Sequence, residues 1–511
     1  MRRIINTLSN CNFQGRPRCA VIALCATMAI TPPTLAADNG PRVIPATKIV
    51  FTTLSSLPVC NNLQCPLVQG TDGNLYGITD YGGNTNENCP SGCGTIFKIT
   101  PNGTLTTLYS FCAQNGCTDG GYPTGGLIQA TDGNLYGTAS SYGANGYGTV
   151  FKITLGGMLT TLYSFCSQVV TGSCTDGAVP YAPLVQGTNG DFYGTTSEGG
   201  GPSIGIDPYG TVFKITSSGK LTTLHSFYTN CPPSGCTDGF QPYAGLVQAT
   251  NGDFYGTTAG YPSIFKITPS GNLTTLCRTC GGSALVQATD GDFYGTTPTG
   301  GVNAECYDGA TCGTVFKITA DGKLATLYSF CSQSACTDGA LPLGPLIQAT
   351  DGDFYGTTWA GGDETCGIES DPTGCGTVFK ITPHGRLTTL HTFSQSGFSD
   401  GFEPASGLVQ YTNGDLYGTT SETVFSLSVG FGPFVEALPI SGKVGAAVEI
   451  LGTNLIDAAS VTFNGTAATF TVNATGTAIS TTVPVGATTG TVQVTLSGGS
   501  TLSSNVPFRV T

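Results

Sequence analysis

One hexad, an Asp-Gly or Asn-Gly turn followed by Asn or Asp, Leu or Phe, and then Tyr-Gly, recurs along most of this chain. Its seven copies begin at Asp72, Asp132, Asn189, Asn251, Asp290, Asp351 and Asn413, at spacings of 60, 57, 62, 39, 61 and 62 residues. A period of that size marks one supersecondary unit that cannot bury its apolar face alone and must stack on its neighbours. Each hexad follows an apolar Leu-Val-Gln or Leu-Ile-Gln starting at Leu67, Leu127, Leu184, Leu246, Leu285, Leu346 and Leu408. Each precedes a segment of the type Thr-Val-Phe-Lys-Ile-Thr, with Phe97, Phe151, Phe213, Phe265, Phe316, Phe379 and Phe425 in register. Six copies then add a segment like Leu-Thr-Thr-Leu-Tyr-Ser-Phe, reached through a turn such as Pro101-Asn102-Gly103. Short runs of Thr, Val, Ile, Phe and Tyr separated by such turns read as four antiparallel strands, A to D. With 75 glycines and only 10% charged residues, the chain has the turns of a β protein and lacks the charged faces of helices.

The seventh copy ends at Thr423-Val-Phe-Ser-Leu-Ser and has no strand D, whereas an orphan D-like segment, Phe51 to Leu57, precedes the first strand A. That arrangement predicts an all-β, seven-bladed propeller over residues 47–430, closed by its own N-terminal strand. The run DGDFYGTT, then GTVFKIT, then LTTL resembles the GloVer tandem repeat of secreted bacterial choice-of-anchor proteins. The resemblance implies export, followed by surface attachment or release, and implies no defined activity. After Gly430-Phe431-Gly432-Pro433 the composition shifts to Thr, Val, Ala and Gly. Residues 433–511, with GTNL, ASVTFNGTAATFTV and VPVGATTGTVQV, are similar to the IPT/TIG immunoglobulin-like module, a small β-sandwich that serves as a spacer or a binding unit. A passive spacer is expected here.

The net charge is -13; residues 1–36 contribute Arg2, Arg3, Arg16 and Arg18 and no acid, so the rest carries -17. Phosphate backbones need clustered cations, so nucleic acid is not an expected partner. Cys19 to Ile30 is an apolar run too short to span a bilayer, and Thr34-Leu35-Ala36 before Ala37 has the small residues of a cleavage site. Residues 1–36 therefore read as a signal peptide. No later run is long enough to cross, and the expectation is a secreted or cell-surface monomer.

Of 21 cysteines, Cys11, Cys19 and Cys25 precede the cleavage site and the other 18 form nine sequence-local pairs. Six pairs fall between strands D and A: Cys60/Cys65, Cys112/Cys117, Cys166/Cys174, Cys231/Cys236, Cys277/Cys280 and Cys331/Cys336. Three fall between B and C: Cys89/Cys93, Cys306/Cys312 and Cys366/Cys375. Both connections emerge on one face of a propeller, here called the top. A zinc site wants converging ligands, usually with histidines, so the pairs read as disulfides. Cys277-Arg278-Thr279-Cys280 has redox-motif spacing but no helix to lower a thiol pKa, and reads as structural like its counterparts.

Three histidines are present. His225 and His391 occupy a strand D position held elsewhere by Tyr109, Tyr163 and Tyr328, and His384 sits in a C-to-D turn, so no histidine is expected on the top face. Nucleophilic catalysis would then lack a base. A sialidase-like site needs three converging arginines, while Arg42, Arg278, Arg386 and Arg509 are scattered. A carboxylate pair remains open. Asp119, Asp176, Asp238, Asp338 and Asp400 recur before glycine in the D-to-A connections, as an acidic ring or, as expected, as turn formers. The B-to-C loops carry Tyr81, Tyr142, Tyr147, Tyr209, Tyr261, Tyr307 and Trp359, which would stack on sugars or partner side chains, or pack under their own loops. Asp363, Glu364, Glu369 and Asp371 surround Cys366/Cys375 without the regular spacing of a calcium loop, and offer either a calcium site or a solvated turn; no other cofactor is indicated. Lys98, Lys152, Lys214, Lys266, Lys317 and Lys380 in strand C read as structural. The pattern points to a non-catalytic binding or display protein with a carbohydrate or protein partner. The alternatives are a carboxylate-dependent polysaccharide-active enzyme and a purely structural envelope protein.

Overall fold

The computed structural model describes residues 49–57, 60, 65–87, 89–170, 172–201, 209–227, 236–303, 311–362, 374–394 and 400–511. The expected signal peptide, Tyr307, the acidic set Asp363, Glu364, Glu369 and Asp371, and Cys231, Cys306 and Cys366 lie outside the described residues. Among the described residues no helix is long and apolar enough to cross a membrane.

Each repeat folds as one four-stranded antiparallel sheet. In blade 1 the strands Val68–Gln69, Leu75–Thr79, Thr95–Ile99 and Leu105–Ser110 pair in the order A-B-C-D. Five further repeats pair in the same order, and the seventh supplies only Val409–Gln410, Leu416–Thr419 and Thr423–Ser428. Its outer strand is Val50–Ser56, paired antiparallel from Val50 opposite Ser428 to Ser56 opposite Thr423. Strand B is buried on both faces in blade after blade, because it lies inside the sheet and between two neighbouring blades. Strand D, at the outer edge, is half exposed.

Two repeat residues wire the blades into a ring. The Gln of strand A reaches the backbone N–H of the Thr that precedes the turn in the preceding blade: Gln129 to Thr71, Gln186 to Thr131, Gln248 to Thr188, Gln287 to Thr250, Gln348 to Thr289 and Gln410 to Thr350, at 2.8–3.0 Å. Gln69 completes the circle by accepting from Thr412 N–H at 3.0 Å across 343 residues of sequence. A solenoid would leave that last bond unmade. Higher in the blades, the strand B hydroxyls of Thr138, Thr257, Thr296, Thr357 and Thr419 donate to carbonyls of the following blade at 2.8–3.1 Å. Between these levels the strand B tyrosines stack on the next blade's ring, Tyr136 on Phe192, Tyr193 on Phe254, Tyr255 on Phe293 and Tyr294 on Phe354, with centroids 4.0–4.1 Å apart.

The bottom face, made of A-to-B and C-to-D turns, confirms the structural reading of the strand C lysines where partners are seen. Lys317 contacts Asp290 and Asp292 at 3.0 and 2.7 Å, and Lys380 contacts Asp351 and Asp353 at 2.7 and 2.8 Å. The C-terminal segment forms two four-stranded sheets, one built on Ala447–Leu451 and Ala478–Thr482, the other on Ala458–Phe463 and Val492–Leu496. They share a core of Val448, Ile450, Val461, Phe463, Val494 and Phe508. This sandwich meets the bottom of the propeller beside the seam. Asn473 Nδ2 and Thr477 Oγ1 donate to Thr71 O at 3.0 and 2.7 Å, and Phe434 N and Thr453 Oγ1 donate to Thr412 O at 3.0 and 3.3 Å. These bonds all lie on the bottom face.

Candidate binding site at the axial mouth

The D-to-A and B-to-C connections lie together, as the strand order requires. Tyr122 N–H donates to Cys93 O at 2.8 Å, and Asn86 Nδ2 approaches Cys117 Sγ at 3.2 Å. Six disulfides join Cys60 to Cys65, Cys89 to Cys93, Cys112 to Cys117, Cys166 to Cys174, Cys277 to Cys280 and Cys331 to Cys336. Cys236, Cys312 and Cys375 are disulfide-bonded as well. Among the described residues, every cluster close enough to ligate a metal contains a bonded cysteine pair, so thiolates are not on offer there.

The acidic-ring alternative for the turn aspartates falls, and one expectation about histidine is corrected. The aspartates of the D-to-A turns form no exposed acidic ring: Asp119, Asp176, Asp238 and Asp338 are buried. Each turns inward to the outer strand. Asp119 accepts from Tyr109 OH at 2.8 Å and from Ala113 N–H at 3.0 Å, and Asp338 accepts from Tyr328 OH, Ser332 N–H and Ser332 Oγ at 2.7–3.0 Å. Burial, with the aspartate bond adding to it, pushes the Tyr163 and Tyr328 hydroxyls up to about 12. The turn reading was right in kind but missed this partner. The correction concerns histidine. His225 and His391 take the tyrosine's place against the same aspartates, His225 Nε2 at 2.8 Å from Asp238 and His391 Nε2 at 3.3 Å from Asp400. They therefore belong to the top-side connections, where no histidine was expected. His391 also stacks on Phe51 of the closing strand, centroids 3.8 Å apart. Burial holds its pKa below 6.5 against the opposing pull of Asp400.

The aromatic residues divide. Tyr147, Tyr209 and Trp359 pack against the blade cores. Tyr81 and Tyr142 flank Tyr122, at centroid distances of 5.7 and 5.9 Å. Tyr261 is 61% exposed with one edge contact to Phe240. The set does not form one plane of free rings. A concave feature instead uses residues that patterning did not single out, the segments just before strand A. Pro66, Gly125, Pro183, Gly245, Ser283, Pro345 and Ala405, one from every blade, line a cavity of about 750 Å³ at the mouth of the central axis. Tyr181 and Tyr243 stand in its wall as an edge-to-face pair, centroids 5.4 Å apart. Burial raises both hydroxyls above their ordinary pKa, so they remain neutral donors. Thr124, Thr258, Thr279, Ser283, Thr297 and Thr299 add further hydroxyls, and among the described residues no charged side chain is in the lining. The sequence signal for this site was the small residue or Pro ahead of each Leu-Val-Gln, since only short side chains fit where seven strands converge.

Comparisons with known proteins agree with this architecture. The sequence profile described as the Gloeobacter/Verrucomicrobia repeat matches residues 45–260 and 207–430, and the IPT/TIG domain matches 434–510. No curated protein matches the chain. A fungal alcohol oxidase in complex with copper is similar at 12% identity and a TM-score of 0.50, covering 91% of this chain and 100% of that one. A catalytically inactive virginiamycin B lyase from Staphylococcus aureus is similar at 15% identity and a TM-score of 0.46, covering 75% of this chain and 99% of that one. A protein described as a putative gluconolactonase follows at 11% and 0.36, covering 75% and 93%. At such identities the likeness concerns the fold alone.

Proposed function

The chain belongs to the Gloeobacter/Verrucomicrobia repeat family, and from that premise we propose a non-catalytic binding protein that presents the axial mouth of its propeller to a ligand. The repeat and the Ig-like domain suggest a surface or binding protein; the mouth adds where the ligand sits. One observation carries this reading: the cavity of about 750 Å³ is lined by hydroxyls, glycines, prolines and two tyrosines, with no charged group among the described residues. A pocket of that size takes a small ligand, and neutral donors on an apolar wall suit a polyhydroxylated or neutral one. A glycosidase working through two carboxylates would need both at the cavity wall, a few ångströms apart. Glu198, which burial makes easier to protonate than usual, acts on Tyr243 and Asp80 acts on Tyr181, but among the described residues neither carboxylate lines the cavity.

Export is part of the same proposal. Multiple disulfides and the lack of a spanning helix among the described residues are consistent with an extracellular location, where such bonds persist. Docking of the Ig-like domain against the bottom leaves the mouth outward. A glycan array probed with the purified full-length protein, followed by a product assay on each hit, tests the proposal. Retention without cleavage, weakened by Tyr243→Ala, is the expected result. Cleavage of a retained glycan, or retention unaffected by Tyr243→Ala and Tyr181→Ala, would overturn it.

A further inference from the structure

The cavity does not stop at the axis. Blades 1, 2, 3, 6 and 7 contribute only the segment before strand A, whereas between blades 4 and 5 the wall runs out past Pro262 and Thr299 to Leu324 and Thr326 on the outermost strand, D, of blade 5. The repeat explains this slot. Strand D of blade 4 ends at Arg278 and strand A of blade 5 begins at Val286, which leaves seven residues, 279–285, for the connection, where the next blade uses seventeen, 330–346. Long connections cross over their junctions. Val179, Gln241 and Leu341, one in each, donate N–H to a carbonyl of the blade before and accept from an N–H of the blade after, at 2.8–3.0 Å. Such connections also shelter strand D of the blade that follows: Thr389 Oγ1 donates to Thr337 O of the preceding connection at 3.4 Å, and the hydroxyl of the equivalent Thr161 is buried. Among the described residues the short connection makes no such crossing, and Thr326, which stands where Thr161 and Thr389 do, is exposed. Leu324 is 44% exposed, while its counterparts Leu105, Leu159, Leu273 and Leu387 are half-buried and Leu221 is buried.

The floor of the slot is filled. Cys280 N–H donates to Pro262 O at 3.2 Å, and Cys280 packs in the same cluster as Phe316, which is 3% exposed. What remains open corresponds to the space that a long connection covers elsewhere, and it is continuous with the axial mouth. On a chain of net charge -13, this slot has no charged side chain in its lining among the described residues.

We infer that the slot carries the second and later units of a neutral linear oligosaccharide whose terminal unit sits in the axial mouth; this rests on the binding reading above. The mouth is walled by a segment from every blade and takes the end of a chain, and the slot is the direction in which its lined surface continues. Pro262 and Leu324 present C–H surface to the apolar face of a sugar ring, while Thr299 and Thr326 offer hydroxyls to its edge. A peptide strand would instead pair along the edge of strand D, which every blade offers, and would have no preference for blade 5.

The test titrates the full chain calorimetrically with cello-, xylo- and malto-oligosaccharides, from the disaccharide upwards. In the series that binds, affinity is expected to rise about tenfold from disaccharide to tetrasaccharide, the size of one added hydrogen bond, and to level off once the chain has passed Thr326. Thr326→Trp, on the exposed outer strand, is expected to bring the tetrasaccharide down to the affinity of the disaccharide. Leu324→Trp, also at an exposed position, should do the same and decides the matter if the first variant does not fold. Tyr243→Ala should weaken every length. Affinity that does not grow with length, growth that survives both tryptophan substitutions, or equally tight binding of oligogalacturonate, a charged chain, would overturn the inference and leave the axial-mouth proposal standing. Silence from all three series overturns it as well, and the mouth reading falls with it only if the glycan array retains nothing that Tyr243→Ala weakens.

Discussion

The two faces of the propeller are built by different rules. On the bottom, one bond is repeated at all seven junctions, Gln to Thr, and it is the bond that spans the seam between the first and last repeats. On the top, the aspartate partner is tyrosine at Asp119, Asp176 and Asp338 and histidine at Asp238 and Asp400, and one blade omits the long connection. The difference shows a division of labour along the propeller axis. Closure depends on bonds that cannot vary without opening the ring, and these sit below. The upper loops are tied down one by one through local disulfides and buried aspartates, so each changes without disturbing its neighbours. A binding mouth can diversify only on that face.

The largest effect expected from this contrast comes from removing the closing strand. Deleting residues 38–57 takes away the pairing of Val50–Ser56 with Thr423–Ser428, the burial of Leu57, and the Phe51 ring that covers His391 and Phe425. Burial of a core leucine alone is worth about 2–5 kcal/mol. The sum approaches the whole stability of a typical domain. Thermal unfolding and size-exclusion should show a destabilised, self-associating protein, because the bare edge of blade 7 offers a template for pairing. A truncated chain that melts like the full one would show that the seam is held elsewhere.

A single bottom bond should matter less, and unequally around the ring. Gln69 is 3% exposed, accepts from Thr412 N–H and donates to Thr412 Oγ1 at 2.9 Å. Gln69→Leu leaves that buried N–H unpaired and should cost about 2 kcal/mol. Gln186 makes the equivalent bond while half exposed, where water replaces the lost partner, so Gln186→Leu should cost about 0.5 kcal/mol. Chemical denaturation of both variants checks the ratio. Equal costs would mean that the seam is no more vulnerable than any other junction.

What could be read in advance follows the same division. Strand number, strand order and the borrowed outer strand were legible because they rest on period-two patterning and turn signals repeated seven times, and repetition averages out local exceptions. The disulfide pairs were legible because each closes a short loop. The ring of glutamines was visible as letters but not as bonds, since its partner lies in another blade. His225 and His391 were read as strand D residues away from the top face, because strand position fixes height in the blade only together with the direction in which the side chain leans. The mouth was missed for a different reason. Small residues and prolines before strand A look like linker composition, and their convergence around an axis is a property of closure that no single repeat contains.

The smallest effect expected is a pH dependence at one histidine of the top face. His391 lies between Phe51 and Phe393, and burial lowers its pKa from 6.5, with Asp400 opposing. A base held below its unfolded pKa binds protons more weakly when folded. The unfolded chain therefore takes up more protons as pH falls through 6.5, and stability rises with pH across that window. The neutral ring's contribution is complete above pH 6.5 and is lost as the pH drops towards the folded pKa. His391→Tyr installs the group that Tyr109, Tyr163 and Tyr328 already use against Asp119, Asp176 and Asp338, and a tyrosine does not titrate in this range. The melting temperature of the variant should be flatter than that of the unsubstituted protein between roughly pH 5 and 6.5, by no more than about 2 °C in a chain of this size. An unchanged slope would mean that Asp400 and burial cancel, and a steeper one that Asp400 outweighs burial and keeps the histidine charged in the folded protein. The top-face partners would then differ in charge as well as in shape.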